Sequence, residues 1–187
     1  MSLLLYEGVM LSPLEKDDLP LVYDLNMTYG ICSGAGFWRD MPTYEAFEGW
    51  MSEYLKRIDK TKCHLVVSEY DEICGTRKGV GVVSAFNMSD VHRTAEVSIR
   101  ILEEFQGKGI AKKALRLVLE YLFKIRGYRK VYAQVYTNNV VSNNLFISAG
   151  FKREATLLEH EMHMGKYMDV AVYSIWSKDF ADLEGLK

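Results

Sequence analysis

Residues Ala95 to Phe123 read AEVSIRILEEFQGKGIAKKALRLVLEYLF, and three different patterns follow one another in this stretch. Ala95, Val97, Ile99 and Ile101 alternate with Glu96, Ser98 and Arg100, which predicts a strand with one polar face. From Gly109 to Phe123 the apolar period changes to that of a helix, with Ile110, Ala114, Leu115, Val118, Leu122 and Phe123 facing inward. Between them lies Gln106-Gly107-Lys108-Gly109-Ile110-Ala111. The first N–H groups of a helix lack internal partners and carry the positive end of its dipole, so they suit a phosphate anion. Gly107, Gly109 and Ala111 keep bulk away from that backbone, and Lys108 adds a positive charge. Taken alone, the motif reads equally as a tight strand-to-helix turn. It lacks the Gly-Lys-Ser/Thr ending of a triphosphate loop and the Gly-x-Gly-x-x-Gly dinucleotide fingerprint.

Upstream, Val9 to Leu14 reads as a strand, and Lys16, Asp17 and Asp18 open a helix with Pro20 in its first turn. Tyr29 to Pro42 reads as a loop carrying Gly30, Gly34, Gly36, Phe37 and Trp38. Thr43 caps a second expected helix, on which Phe47, Trp50, Met51, Tyr54 and Leu55 share helical spacing. Strands are expected at Lys62 to Tyr70 and Gly79 to Asn87, joined by a turn at Asp71 to Gly75. Downstream, Arg129 to Tyr136 reads as a strand and Ser142 to Ala149 as a short helix ended by Gly150. Two last strands are expected from Phe151 onward and from Asp169 to Trp176. The order β-α-α-β-β-β-α-β-α-β-β is that of a mixed α/β layer architecture.

The 187 residues fit a single domain, 1–187, with 49% hydrophobic and 26% charged residues. A net charge of −2 speaks against a dedicated nucleic-acid binder. Cys32, Cys63 and Cys74 form no Cys-x-x-Cys pair, so reduced thiols of a cytoplasmic protein are expected, with no disulfide framework. His64, His92, His160 and His163 have no metal-site spacing. No signal peptide or transmembrane segment is readable.

Gln106-x-x-Gly109-x-Ala111 resembles the acetyl-CoA signature of the GCN5-related N-acetyltransferase (GNAT) superfamily. A second match is Asn139-x-x-Ser142-x-x-Leu145-Phe146-x-x-x-Gly150-Phe151. His92-Arg93-x-Ala95-Glu96, Gly165-Lys166-Tyr167-x-Asp169 and Trp38-x-Asp40-x-Pro42 before Tyr44-Glu45-Ala46-Phe47 are similar to the bacterial spermidine N-acetyltransferases. The ribosomal-protein alanine N-acetyltransferases are similar as well. The resemblance is sharp from Ala95 to Phe151 and loose before Lys62.

The resemblance implies a mixed, mostly antiparallel sheet of six to seven strands flanked by helices and splayed between the fourth and fifth. It implies acetyl-CoA as co-substrate, no metal, and a small-molecule amine as acceptor, a polyamine such as spermidine being the leading candidate. Acetylation of a protein N-terminus and non-catalytic acyl-CoA binding are the alternatives. Ile99, Arg100 and Ile101 would pair with the pantetheine arm through their backbone, and one N–H there would stabilise the thioester oxygen. Gln106, Gly107, Lys108, Gly109, Ile110 and Ala111 would hold the diphosphate. Glu96 would be the general base, or else pair with Arg93 or Arg100. Asn139 would touch the cofactor arm, hold the strand crossing or cap a helix. Phe146 stands at a cofactor-binding position where many relatives carry a Tyr that protonates the leaving thiolate, a role closed to Phe; Tyr136 and Tyr173 are candidates to replace it. Trp38, Asp40 and Glu45 would line the acceptor site. No nucleic-acid or membrane partner is expected; relatives form dimers or larger rings, so a homo-oligomer is open.

Overall fold

The strand–turn–helix stretch around Gly109 forms as its pattern predicts and sits at the centre of an eight-stranded sheet. The computed structural model describes residues 4–33, 42–57 and 59–185. The strands are β1 (Leu4–Tyr6), β2 (Val9–Pro13), β3 (Cys63–Asp71), β4 (Thr76–Ser89), β5 (Thr94–Ile101), β6 (Lys130–Tyr136), β7 (Lys152–His163) and β8 (Lys166–Trp176). The helices are α1 (Leu19–Ser33), α2 (Tyr44–Leu55), α3 (Ile110–Glu120), α4 (Val140–Ser148) and α5 (Ser177–Gly185).

The strand order is β1-β2-β3-β4-β5-β6-β8-β7. Every neighbouring pair is antiparallel except β5 and β6. The α3 crossover between those two accounts for the exception, since parallel strands need a long connection. The sheet has one strand more than the six to seven expected. The addition is β1, three residues folded back on β2 through Glu7 and Gly8, both at positive φ. It is too short to show an alternating pattern. The closing helix α5 was also unread; its Phe180 packs on Phe123 with ring centroids 5.5 Å apart.

Each face of the sheet has its own core. On one, Ala114, Leu115, Val118 and Leu122 from the central helix meet Ala95, Val97, Val131 and Ala133. On the other, Leu19, Val22 and Leu25 of α1 meet Phe47 and Met51 of α2 over Val82. Fully burying one such Leu contributes about 1.5–3 kcal/mol. The helix expected to run to Phe123 continues that far, but its last turn, Tyr121–Ile125, widens to π geometry. The turn brings in Tyr128, whose buried ring ends in a hydrogen bond from its hydroxyl to Asp90 at 3.0 Å. Thr43 caps α2 as expected, its hydroxyl accepting from Ala46 N–H at 3.3 Å. Where β4 lies closest to β5, Gly81 is required, because a Cβ there would collide with the Arg100 carbonyl.

Candidate active site

The two central strands touch only at their start. Thr94, Ala95 and Glu96 of β5 pair with Lys130, Val131 and Tyr132 of β6. Beyond Glu96 the strands part. Val97, Ser98 and Ile99 have no ladder partner on the β6 side among the described residues, while β4 continues to pair with the opposite edge of β5 as far as Ile101. A strand edge of this kind can accept an extended chain through its main-chain groups. Ile99, Arg100 and Ile101 lie along it.

At the far end of β5 the chain enters the glycine turn. Gly107 has φ +75° and Gly109 has φ +76°. L residues avoid this region and glycine does not. Gly109 is the N-cap of α3 and brings no side-chain cap, so the cap leaves the first N–H groups of the helix open. An added Cβ at either glycine would meet nothing within 4 Å, so the concavity is not filled by the protein. Gln106 donates from Nε2 to the Ile101 carbonyl at 2.9 Å and ties the turn to the strand. Lys108 and Lys78 both place their ammonium groups over the Phe105 ring, 4.9 and 4.6 Å from its centroid. An open helix start flanked by two cations suits a diphosphate. Ile110 is buried and Ala111 half-buried against the core, so these two offer backbone rather than side chain.

Glu96 points to the other side of the sheet, away from α3, and is 6% exposed. Asn87 donates from Nδ2 to its Oε2 at 2.8 Å. The polar groups of Tyr132 and Gln134 lie beside it and favour its ionised form. Burial raises its pKa above the ordinary carboxylate value, the three neutral side chains pull it back in part, and the nearby Glu161 carboxylate adds to the rise. Of the alternative ion-pair partners, Arg93 instead donates to the Arg126 carbonyl at 3.3 Å, and Arg100 reaches Asn26 of α1. The donor Asn87 depends on an irregularity: β4 slips register between Phe86 and Ser89, and Asn87 has φ +49°. Bulges commonly re-aim a side chain next to a site. Next along this face, His64 Nδ1 meets the Ser84 hydroxyl at 2.8 Å. Burial, with the Arg100 and Lys62 charges, pushes the His64 pKa down to about 4.

On the α3 side, Asn139 is the N-cap of α4 and accepts from Ser142 N–H at 3.0 Å. This is the helix-cap alternative. Phe146 lies on α4. It is 4% exposed, with Phe151 5.1 Å away edge-on and Tyr173 stacked at 6.5 Å. Without a hydroxyl to satisfy, the ring buries as core. Tyr173 commits its proton to Asn143 Oδ1 at 2.7 Å. Tyr136 is pushed up to about 12 by burial and the neighbouring Glu161 charge. The raised pKa makes Tyr136 a poor proton donor.

Among the acceptor-site candidates, Trp38 and Asp40 lie outside the described residues. Glu45 is exposed on the first turn of α2. Glu48 and Glu53 pair with Lys16 and Lys56 at 3.5 and 2.6 Å. Asn87, Tyr132, Gln134 and Glu161 were not singled out from sequence. Tyr132 and Gln134 alternate with Val131, Ala133 and Val135, a pattern that marks a polar face. Among the described residues no group of three His, Cys, Asp or Glu could hold a metal ion, and no helix is long and apolar enough to cross a membrane.

Residues 9–152 match the family model for the acetyltransferase (GNAT) domain. The chain is 32% identical over 170 residues to the spermidine N(1)-acetyltransferase of Vibrio cholerae, covering 90% of this chain and 93% of that one. It is 27% identical to the ribosomal-protein-serine acetyltransferase of Escherichia coli, over 51% of this chain and 53% of that one. The V. cholerae spermidine N-acetyltransferase solved in complex with CoA and spermine superposes with a TM-score of 0.80 at 26% identity, covering 94% of this chain and 99% of that one. The chain belongs to the GNAT acetyltransferase family and is an acetyl-CoA-dependent N-acetyltransferase.

Proposed function

We propose that the chain transfers acetyl from acetyl-CoA to a primary amine of a polyamine such as spermidine, by direct attack in a ternary complex. The observation that carries this reading is the position of Glu96: a buried carboxylate with a neutral donor, at the point where β5 and β6 part. Likeness to spermidine acetyltransferases along nine-tenths of the chain supports the acceptor class.

When bound, acetyl-CoA supplies an acetyl thioester whose carbonyl carbon takes the amine. Gly107, Lys108, Gly109 and the first N–H groups of α3 hold the diphosphate, with Lys78 beside them. The β6-side edge of β5 aligns the extended arm. Glu96 removes a proton from the acceptor. That step is needed because an alkylammonium of pKa about 10.4 is only about one part in a thousand neutral at pH 7.4, a deficit of roughly 4 kcal/mol. The raised pKa of Glu96 makes it a stronger base than an exposed carboxylate. No side chain need supply the thiol proton, because a thiol of pKa about 8.5 leaves tolerably as thiolate. This agrees with Phe146 in the core and with the poor acidity of Tyr136.

The test is release of CoA thiol with spermidine, aminoglycosides, amino acids and short peptides as acceptors, with the acetylated product identified by mass. Spermidine-dependent release is expected. Release with peptides alone would shift the acceptor to a protein N-terminus, and tight CoA binding without release for any acceptor would leave a binding module.

A further inference from the structure

We infer that Glu161 is a specificity-determining residue of the same acceptor pocket: it holds the second, non-reacting ammonium of a di- or polycation while Glu96 serves the reacting one. The inference rests on the proposed amine acetylation and narrows it to acceptors with two charges.

The placement comes from an irregular strand. β7 slips once against β8 between Arg153 and Ala155, pairs on to Leu157 opposite Val170, then resumes at Glu161 opposite Met168. Three residues of β7, 158–160, therefore oppose the single residue Asp169 of β8. Glu159, at the centre of this bulge, has φ +46°, and its N–H donates to Asp169 Oδ1 at 2.8 Å. A bulge bends its strand and re-aims the side chains beyond it. Beyond this one, Glu161 and His163 turn toward the end of β6. The His163 ring stacks on Tyr136 with centroids 5.5 Å apart. The Tyr136 hydroxyl is fully enclosed, beside the Glu161 carboxylate but outside hydrogen-bond geometry with any described group. Tyr136, Gln134 and Tyr132 alternate along one face of β6, and the polar groups of Tyr132 and Gln134 lie beside Glu96. The two carboxylates thus bracket one polar strip, Glu96 at the paired end of the splay and Glu161 at the open end.

Two carboxylates near each other repel, and the Glu161 charge disfavours the ionised form of Glu96. Tyr132 and Tyr136 line the strip, and the His163 ring stacks on Tyr136 at one end of the strip. A dication laid along it relieves the repulsion, and a monoamine satisfies only one end.

The deciding measurement compares wild type with Glu161→Gln and Glu161→Lys, using spermidine and butylamine as acceptors and reading kcat and KM separately. For Glu161→Gln, the KM for spermidine should rise tenfold or more with kcat within threefold, and constants for butylamine should stay within twofold. Glu161→Lys should raise the spermidine KM further. Equal losses with both amines, or no change with spermidine, overturn the inference and leave amine acetylation standing. A wild type that neither acetylates spermidine nor is stabilised by it against heat overturns both.

Discussion

Asn87 Nδ2 donates to Glu96 Oε2 at 2.8 Å across the irregular end of β4. The bond joins a residue at φ +49° to a carboxylate buried where the central strands separate. A neutral donor stabilises the ionised form of Glu96 without neutralising it, as an arginine would. It therefore opposes the effect of burial and sets the pH at which the base becomes available.

Replacing Glu96 with Gln keeps the volume and removes the base. The kcat/KM for the amine should fall by about 10²–10³ at neutral pH, within the usual range for a general base. Thermal stability should hold or rise slightly, since the buried charge disappears. A loss under tenfold would remove Glu96 from the chemistry.

Asn87→Ala removes a hydrogen bond that lowers the Glu96 pKa. Only ionised Glu96 accepts a proton, so the rate should climb with pH through that pKa. The acid limb of kcat/KM should lie above the ordinary carboxylate range in the wild type and move to still higher pH in the variant. A pH–rate profile recorded on both proteins checks the direction; an unmoved limb contradicts it.

His64 links stability to acid. Its folded pKa is about 4 against an ordinary 6.5, so between these values the unfolded chain binds a proton that the folded chain refuses. Its contribution is whole above pH 6.5 and is lost as pH falls toward 4, a total on the order of 3 kcal/mol. The melting temperature of wild type should drop through that window more steeply than that of His64→Gln. Parallel curves would refute the assignment.

Phe146→Tyr introduces a hydroxyl among Phe151, Tyr173 and Asn143. A change in turnover of less than tenfold is expected, because the thiolate leaves without an acid. A gain above a hundredfold would mean that the missing hydroxyl is limiting.

Gln106→Ala should weaken CoA binding severalfold and lower stability by about 1 kcal/mol, the ordinary worth of one hydrogen bond. Calorimetry and urea unfolding on the same samples separate the two effects.

The stretch from Ala95 to Phe123 was legible because each pattern there is local: alternation of two, a glycine turn, then a helical period. The same holds for Thr43 and Asn139, whose caps act within three residues. What sequence hid depends on register. Asn87 faces Glu96 only because β4 slips between Phe86 and Ser89, and Glu161 turns toward Tyr136 only after the slip in β7. No periodicity records such slips. The motif fixes the position of Phe146 on α4, but it does not record that the ring packs against Phe151 and Tyr173. The expectations for Trp38 and Asp40 lie in the stretch that the structure does not describe.

Gly109 carries the most direct test, because its φ of +76° and empty surroundings leave room for an anion that a carboxylate side chain would repel. Titrating the protein with acetyl-CoA in a calorimeter should give a one-to-one isotherm for wild type and no measurable binding for Gly109→Glu of native-like melting behaviour. Equal heats from the two proteins would mean that the coenzyme does not sit at the start of α3, and the acetyl-transfer geometry built on that seat would be wrong.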